Sequence, residues 1–244
     1  MAPRAYLRIA GLVLLFLVCV VPHLLSRVVL GRSRWPRLFL RWAGWIAGAR
    51  VRLWGPPVRP HTLLVCNHTS WLDILVLGGA TGCRFVSKDE LGHPFVHWLS
   101  DQSGTLYIRR SRRKETRDQA LAIATALQDD RPVALFPEGT TGPGDRLLPF
   151  RPALLEAAAL ADRDVHIRPV AIDYGSAATE VGWYEESGRD NVVRLLGRTG
   201  HLHVTIRLLE PLAAGNDRKA LAKLSEDAIT ATLAAASSPR APAL

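Results

Sequence analysis

The longest apolar run of the chain lies near its beginning, where residues 9–26 form 18 consecutive positions without a charged side chain. As a helix this run would be about 27 Å long, just short of the roughly 30 Å hydrocarbon core of a bilayer. No small-x-small cleavage site follows it, so we expect a retained membrane segment and not a cleaved signal peptide. The pattern leaves open whether the segment spans the bilayer or dips into one leaflet.

Arginines flank this run unevenly, and their distribution predicts an orientation. More of them follow the run than precede it: Arg27, Arg32, Arg34, Arg37 and Arg41 against Arg4 and Arg8. Because an excess of positive charge marks the cytoplasmic side of a membrane segment, we expect the rest of the chain to face the cytoplasm.

A second N-terminal segment, residues 34–49, is amphipathic. On a helical projection its large apolar side chains gather on one face, and arginines occupy the flank. The apolar face consists of Trp35, Leu38, Phe39, Trp42, Trp45, Ile46 and Ala49. Trp on the apolar side and Arg on the polar side are typical of a helix that lies in the membrane interface. The alternative is an ordinary helix packed on the following domain.

From residue 62 onward, apolar runs of strand length alternate with helical stretches. Strands are predicted at 62–66, 83–87, 105–109, 133–136, 166–172 and 202–209. Helices are predicted at 71–79, 94–101, 112–129, 151–160 and 217–235. The alternation predicts an α/β fold, with a mostly parallel central sheet covered by helices and an N-terminal membrane-anchoring helical segment. The predicted division is a membrane anchor at 1–54, an α/β domain at 55–235 and a disordered tail at 236–244.

The net charge of +9 belongs to the N-terminal part of the chain. Residues 1–60 hold ten Arg and no acidic residue, whereas the remainder has 21 Lys and Arg against 22 Asp and Glu. Because the basic residues are interleaved with apolar sequence of bilayer length, we expect membrane lipids as partners and no nucleic acid. The three Cys show no metal-ligand spacing, and the sequence predicts neither a metal nor another cofactor. It leaves the oligomeric state open.

Candidate catalytic chemistry lies between the first strand and the first helix predicted for the domain. His68 and Asp73 are five positions apart, a spacing that puts two side chains on different faces of a helix or a strand. They can meet only if the chain turns between them, as at a strand-to-helix junction. There Asp73 could accept from one imidazole nitrogen and leave the other free to take a proton from a substrate. Ser70 and Asp73 also have capping-box spacing, which is a structural alternative compatible with catalysis.

Four blocks of sequence carry a resemblance to a known family. They are residues 67–73 (Asn-His-x4-Asp), 104–110, 136–140 and 168–172, in this order. Together they resemble the glycerolipid acyltransferase family, and within it the bacterial lysophosphatidic acid (1-acyl-sn-glycerol-3-phosphate) acyltransferases. The resemblance implies a membrane-bound O-acyltransferase of phospholipid biosynthesis, at the bacterial inner membrane, that uses acyl-CoA or acyl carrier protein as its donor. A non-enzymatic membrane-binding module is the alternative class, and it leaves the four blocks unexplained.

The resemblance also implies roles for individual residues. His68 would be the general base that deprotonates the acceptor hydroxyl, and Asp73 would orient it. The residues expected to bind the acceptor are Gly104, Arg110, Glu138, Gly139 and Thr140. Independently of the resemblance, Lys88 follows the strand predicted at 83–87 and could add positive charge to this site. Arg110 could instead belong to a solvated basic run, and Glu138 could lie in an exposed turn at the end of a strand.

One position departs from the family pattern. Family members often carry Arg two residues beyond Gly139, where this chain has Thr141. Arg146 or Arg151 could supply the missing contact to a phosphate. The leading expectation for the acceptor is 1-acyl-sn-glycerol-3-phosphate, which would give phosphatidic acid, and lyso-ornithine lipid or another lyso-lipid is the alternative.

Overall fold

The computed structural model describes residues 2–88, 93–108, 113–161, 164–212 and 217–237 of the chain. Its strands are β1 (Ala49–Trp54), β2 (Thr62–Cys66), β3 (Arg84–Lys88), β4 (Leu106–Ile108), β5 (Val133–Leu135), β6 (His166–Asp173) and β7 (Leu202–Leu208). They form one sheet in the order β1-β7-β6-β2-β5-β3-β4. Every neighbouring pair within it is parallel except β6 with β7.

Helices cover both faces of this sheet. They are α1 (Pro3–Leu30), α2 (Trp35–Ile46), α3 (Leu72–Thr81), α4 (Pro94–Gln102), α5 (Arg113–Ala126), α6 (Ala157–Leu160), α7 (Ala178–Val181), α8 (Gly188–Gly197) and α9 (Arg218–Ser237). Single 3-10 turns at Pro152–Glu156 and Gly175–Ala177 precede α6 and α7. The predicted fold class, a mostly parallel sheet covered by helices, is confirmed.

The six predicted strands are all present, and their ends differ from the predicted ones by at most one residue. β2 lies at the centre of the sheet, and its apolar side chains alternate between two cores. Leu63 and Val65 pack with side chains of α5 and α9, whereas Leu64 and Cys66 pack with side chains of α3 and α8. Because both of its faces are buried, a central parallel strand is continuously apolar, and this made β2 predictable.

β1 was not predicted. It pairs in parallel with β7 at the edge of the sheet, from Ala49 opposite Leu202 to Trp54 opposite Arg207. Its second half is exposed, so arginines alternate there with apolar residues, and the amphipathic period of the preceding helix conceals the strand. The predicted domain boundary after residue 54 therefore separates β1 from the sheet to which it belongs. At the other end of the chain α9 continues to Ser237, and residues 238–244 of the predicted tail lie outside the described residues.

α1 is longer than the predicted apolar segment, and by length and composition it is a helix that could cross a membrane. Only 11% of its most apolar window is buried in the protein. It contacts the rest of the chain at a few places. Phe16 meets Phe95 and Trp98 of α4 edge-to-face, and Arg8 donates to the carbonyl oxygens of Leu195 and Leu196.

α2, within the predicted amphipathic segment, packs on the domain through one face and leaves part of another face exposed. The face packed on α3 carries small side chains as well as a leucine, and its buried residues are Leu40, Ala43 and Gly44. The predicted apolar face is in part exposed, since Leu38, Trp42 and Trp45 are 39%, 49% and 51% accessible.

Two glycines of α3 make the contact with α2 close. A Cβ on Gly78 would lie 2.7 Å from Cδ1 of Leu40, and a Cβ on Gly79 would lie 2.6 Å from Cα of Arg41. At Gly79 the atom met belongs to the backbone of α2, so a side chain there would require a shift of the helices; at Gly78 it would require the side chain of Leu40 to move. α2 is therefore fixed to α3 while it presents aromatic side chains outward.

Candidate active site

The turn after β2 brings His68 and Asp73 together. At the end of the strand, the side-chain amide of Asn67 pairs with the backbone of Ile172 in both directions, at 3.0 and 2.8 Å, and so ties the turn to β6. The chain then reverses before α3 begins at Leu72. As a result Nδ1 of His68 lies 2.8 Å from Oδ2 of Asp73, which is the geometry that the spacing predicts.

Asp73 is completely buried, and hydrogen bonds compensate its charge. Besides His68, its Oδ2 accepts from the backbone N–H groups of Thr69, at 2.6 Å, and Ser70, at 2.9 Å. The contact with the Ser70 N–H is one of the two hydrogen bonds of a capping box. Asp73 can therefore stabilise the start of α3 and orient His68 at the same time. A buried charge with this many donors is held in one orientation.

Tyr174, just beyond β6, completes the surroundings of Asp73. Its buried hydroxyl donates to Oδ1 at 2.6 Å. Burial, and then the negative charge of Asp73, raise the pKa of Tyr174 well above its ordinary value, so the hydroxyl stays a donor. Sequence reasoning missed this residue, because 101 positions separate it from Asp73 and it belongs to none of the motif blocks.

The His68 ring is held by stacking as well as by Asp73. It lies on Phe136 with 4.0 Å between ring centroids and 16° between the planes. Since a carboxylate only accepts, a neutral His68 ring has its proton on Nδ1, which faces Asp73, and its lone pair on Nε2. The side chain of His68 remains 17% exposed and lines an open cavity of about 530 Å³. An acceptor hydroxyl entering this cavity can thus reach an unprotonated imidazole nitrogen.

Glu138 is buried behind His68, with both carboxylate oxygens taken by the backbone. Oε1 accepts from the N–H of His68 at 2.6 Å, and Oε2 accepts from the N–H of Leu148 at 2.9 Å. Burial raises the pKa of Glu138 to about 7; these two donors oppose the rise, and the charge of Asp73 adds to it. Glu138 therefore acts on the position of His68, and in this arrangement neither oxygen is left for an acceptor, the role the resemblance implied.

The segment after Glu138 forms one wall of the cavity. Gly139 and Thr140 line it, as the prediction requires. However, the N–H of Gly139 donates to the carbonyl of Phe136 at 3.1 Å, so it is not available to a ligand. The hydroxyl of Thr141 donates to the carbonyl of Trp183 at 2.6 Å and fastens this wall to the opposite one.

The remaining predicted residues are not brought to the site by described contacts. Gly104 lies before β4, at the amino edge of the sheet and away from His68; a Cβ there would meet Arg131 at 3.3 Å. Its positive φ of 75° serves the turn from α4 into β4 and not an approach to ligand. Lys88 ends β3, whose Val86 and Ser87 line the cavity. Arg110 lies outside the described residues.

The fourth block is structural. The guanidinium of Arg168 is buried and donates to the carbonyl oxygens of Leu209, Pro57 and Leu208, at 2.7, 3.1 and 3.2 Å. It fastens the connector that enters the domain to the end of β7, as an Arg with its full set of donors can.

The site supports base catalysis more readily than nucleophilic catalysis. Cys66 is fully buried, and burial raises the pKa of its thiol well above the ordinary value, so it is not a nucleophile. Ser70 is also fully buried. Within the described ranges no group of three or more His, Cys, Asp or Glu could hold a metal ion. The geometry fits a hydroxyl that is deprotonated by His68 and attacks a substrate directly.

Comparison with known proteins agrees with this chemistry. A family model described as Acyltransferase matches residues 53–173, the part of the chain that holds the His68–Asp73 pair and Glu138. The fold, the site and this match together define the protein as an acyltransferase.

Its relatives act on lysolipids. The lyso-ornithine lipid O-acyltransferase of Brucella abortus is 34% identical over 96% of this chain and 95% of its own length. That of Pseudomonas aeruginosa is 35% identical over 78% of this chain and 74% of its own length. The 1-acyl-sn-glycerol-3-phosphate acyltransferase of Neisseria gonorrhoeae is 32% identical over 54% of this chain and 49% of its own length. The chain therefore belongs to the glycerolipid acyltransferase family, and it is an acyltransferase that acts on lysolipids.

A solved structure shares the fold. The crystal structure of the 1-acyl-sn-glycerophosphate (LPA) acyltransferase PlsC of Thermotoga maritima matches with a TM-score of 0.66 over 98% of this chain and 99% of that chain. The sequence identity is 20%, so this likeness establishes the architecture alone.

Replacement of Tyr174 by Phe tests its hold on Asp73. Without the hydroxyl, the Asp73 carboxylate concentrates its charge towards His68 and stabilises the imidazolium. We expect the acid limb of the profile of kcat/KM against pH to move to higher pH, with a loss of stability of about 1–3 kcal/mol for the unsatisfied buried oxygen. Tyr6→Phe, exposed on α1, is the matched control. An unmoved acid limb would assign Tyr174 a packing role only.

The raised pKa of Glu138 predicts a pH-dependent stability. Folded Glu138 keeps its proton up to about pH 7, whereas the unfolded chain releases it near 4.5. The folded state therefore binds more protons between these values, and stability falls as the pH rises through that window. Glu138→Gln cannot ionise, so its Tm should lack this fall, which amounts to about 1–3 kcal/mol. Parallel curves of Tm against pH for wild type and variant would contradict the prediction, and Glu210→Gln, exposed after β7, serves as control.

Proposed function

We propose that the protein is a membrane-bound O-acyltransferase that moves a fatty acyl group from acyl-CoA or acyl carrier protein to the free hydroxyl of lyso-ornithine lipid, with His68 as general base. The observation that carries the proposal is the His68–Asp73 pair, whose free imidazole nitrogen belongs to a ring lining an open cavity. The names of the relatives supply the substrate class.

The mechanism needs one proton shuttle. Nε2 of His68 takes the proton of the acceptor hydroxyl while the oxygen attacks the thioester carbonyl. The imidazolium is stabilised by Asp73, which itself stays ionised. When the tetrahedral intermediate collapses, the C–S bond breaks, and the thiolate receives the proton from His68. The products are the ester and the free thiol, and no acyl-enzyme forms.

Two observations favour lyso-ornithine lipid over lysophosphatidic acid, the acceptor that the sequence alone favours. The relatives whose lengths this chain spans most fully carry the former name. In addition, Thr141 stands where family members often carry an Arg that would suit a phosphate, and its hydroxyl is occupied by Trp183.

Lysophosphatidic acid is the second candidate acceptor, because a cationic side chain that could bind its phosphate lies near the cavity. The guanidinium of Arg151 lies against Gly139, where a Cβ would be 3.6 Å from Nη1. The predicted substitute Arg146 is instead paired with Asp145 at 3.2 Å.

A direct assay decides between the two acceptors. The full-length protein in detergent micelles is given one labelled acyl thioester and either lyso-lipid; thiol release and the mass of the product are measured. We expect a larger kcat/KM with lyso-ornithine lipid, and we expect Thr141→Arg to raise the relative activity on lysophosphatidic acid by about tenfold, since an Arg–phosphate contact contributes more than 1 kcal/mol. A preference of the wild type for lysophosphatidic acid would reverse the assignment, and release of thiol without an acylated lipid would defeat the proposal.

The N-terminal helices support a location at the membrane. α1 would insert into the bacterial inner membrane, the exposed aromatic side chains of α2 would lie at the interface, and the catalytic domain would face the cytoplasm. Protease treatment of right-side-out and inverted vesicles tests the orientation: the domain should be cleaved only in inverted vesicles, and cleavage from the outside would contradict the proposal.

A further inference from the structure

One wall of the catalytic cavity carries negative charge. Trp183, Tyr184, Glu185 and Glu186 line it from the segment between α7 and α8. Among the cavity-lining residues that the structure describes, none is Lys or Arg. Their ionisable acidic side chains are the two glutamates, and His68 is the one basic side chain. An acidic wall disfavours a phosphate and suits a cation.

The two glutamates differ in their partners. Glu186 is engaged: its carboxylate accepts from Arg194 and, at 2.7 Å, from Asn191. Glu185 is exposed, and within the described part of the chain it has neither a hydrogen bond nor an ion pair. Its carboxylate is thus the one in this wall that is available to a ligand.

The backbone holds Glu185 in an uncommon conformation. Its φ is 56°, in the left-handed region that a residue with a long side chain seldom adopts. Hydrogen bonds of Trp183 hold the segment that contains Glu185. The N–H of Trp183 donates to the carbonyl of Thr69 at 3.0 Å, its indole N–H donates to the carbonyl of Glu186 at 3.1 Å, and its carbonyl accepts from Thr141. Glu185 is therefore placed at a set position relative to the turn that carries His68, as strained residues at binding sites often are.

We propose that Glu185 is a specificity-determining residue that binds the ammonium group of a lyso-lipid acceptor carrying an amino-acid headgroup. The inference rests on the proposed function, because the ornithine headgroup carries a side-chain primary amine that is protonated at neutral pH, whereas lysophosphatidic acid carries no amine. The amine would meet Glu185 while the acceptor hydroxyl lies at His68. The guanidinium of Arg151 is not part of the cavity lining but lies beside Gly139, which is, and it would be the nearby counterpart for the headgroup carboxylate.

A pair of acceptors that differ only in the amine tests the proposal. One is lyso-ornithine lipid, and the other carries norvaline, which has the same carbon chain without the amine. The full-length enzyme in mixed micelles is assayed with both, and kcat and KM are measured separately. We expect Glu185→Gln to lower kcat/KM for the ornithine acceptor about fivefold, through KM, and to leave the norvaline acceptor unchanged.

Two further variants guard the interpretation. Glu185→Asn removes the charge and tolerates a positive φ, so it should show the same selective loss even if Gln disturbs the segment. Glu210→Gln, outside the cavity, should change neither acceptor. An equal loss with both acceptors would mean that Glu185 only supports the wall, and no loss with either would mean that it binds nothing; each result overturns the proposal. Failure of the proposed function is seen earlier, in a wild-type enzyme that acylates lysophosphatidic acid and not lyso-ornithine lipid.

Discussion

His68→Ala is expected to lower kcat by about 10²–10⁴-fold, because the variant has no group that can take the proton of the attacking hydroxyl. The buried Glu138 cannot replace it, since both of its oxygens accept from the backbone. KM for the acceptor should change much less, because the proposed headgroup contacts are made by other residues. Single-turnover measurements with a labelled thioester would separate the chemical step from binding and product release.

The control for this variant is His201→Ala, at an exposed position before β7. It should keep wild-type activity. Both proteins should bind to vesicles as the wild type does, because α1 and α2 are untouched. Activity of His68→Ala within a few-fold of the wild type would defeat base catalysis by this imidazole.

Asp73→Asn should lower kcat by about 10³–10⁴-fold although it preserves the size of the side chain. An amide in place of Oδ2 can donate to Nδ1 of His68, and the ring then carries its proton on Nε2, where the lone pair is needed. The variant also places an NH2 group close to the Thr69 and Ser70 N–H donors, so a lower Tm accompanies the loss.

Combination of the two substitutions tests whether the pair acts as a unit. Asp73→Asn should cost almost nothing more in a protein that already has His68→Ala, because its effect passes through the imidazole. Asp145→Asn, in an exposed pair with Arg146, is the matched control. Additive losses would mean that Asp73 contributes through folding and not through His68.

The sequence allowed a correct prediction of those features that depend on residues close together in the chain. β2 was predicted with its observed ends because a central parallel strand is an apolar run bounded by polar residues. The His68–Asp73 contact was predicted because only a turn allows that spacing to close. In both cases the relevant residues are neighbours along the chain.

Features that depend on distant residues were missed. Tyr174 contacts Asp73 because β6 lies beside β2, and no local sequence pattern predicts this pairing of strands. The backbone contacts of Glu138 were missed for the same reason, since the N–H groups that donate to it come from His68 and Leu148. β1 is an edge strand whose exposed second half reads as part of an amphipathic helix.

α2 packs closely on α3 at Gly78 and Gly79, and this packing couples the position of α2 to that of the active site. α3 begins at Leu72, beside the turn that carries His68 and Asp73, and Gly79 near its other end lies against the backbone of α2. We therefore expect α2 and α3 to move together, so that a displacement of Trp42 and Trp45 would also displace the imidazole. The distance between these indoles and the reacting nitrogen would then be set by helix packing.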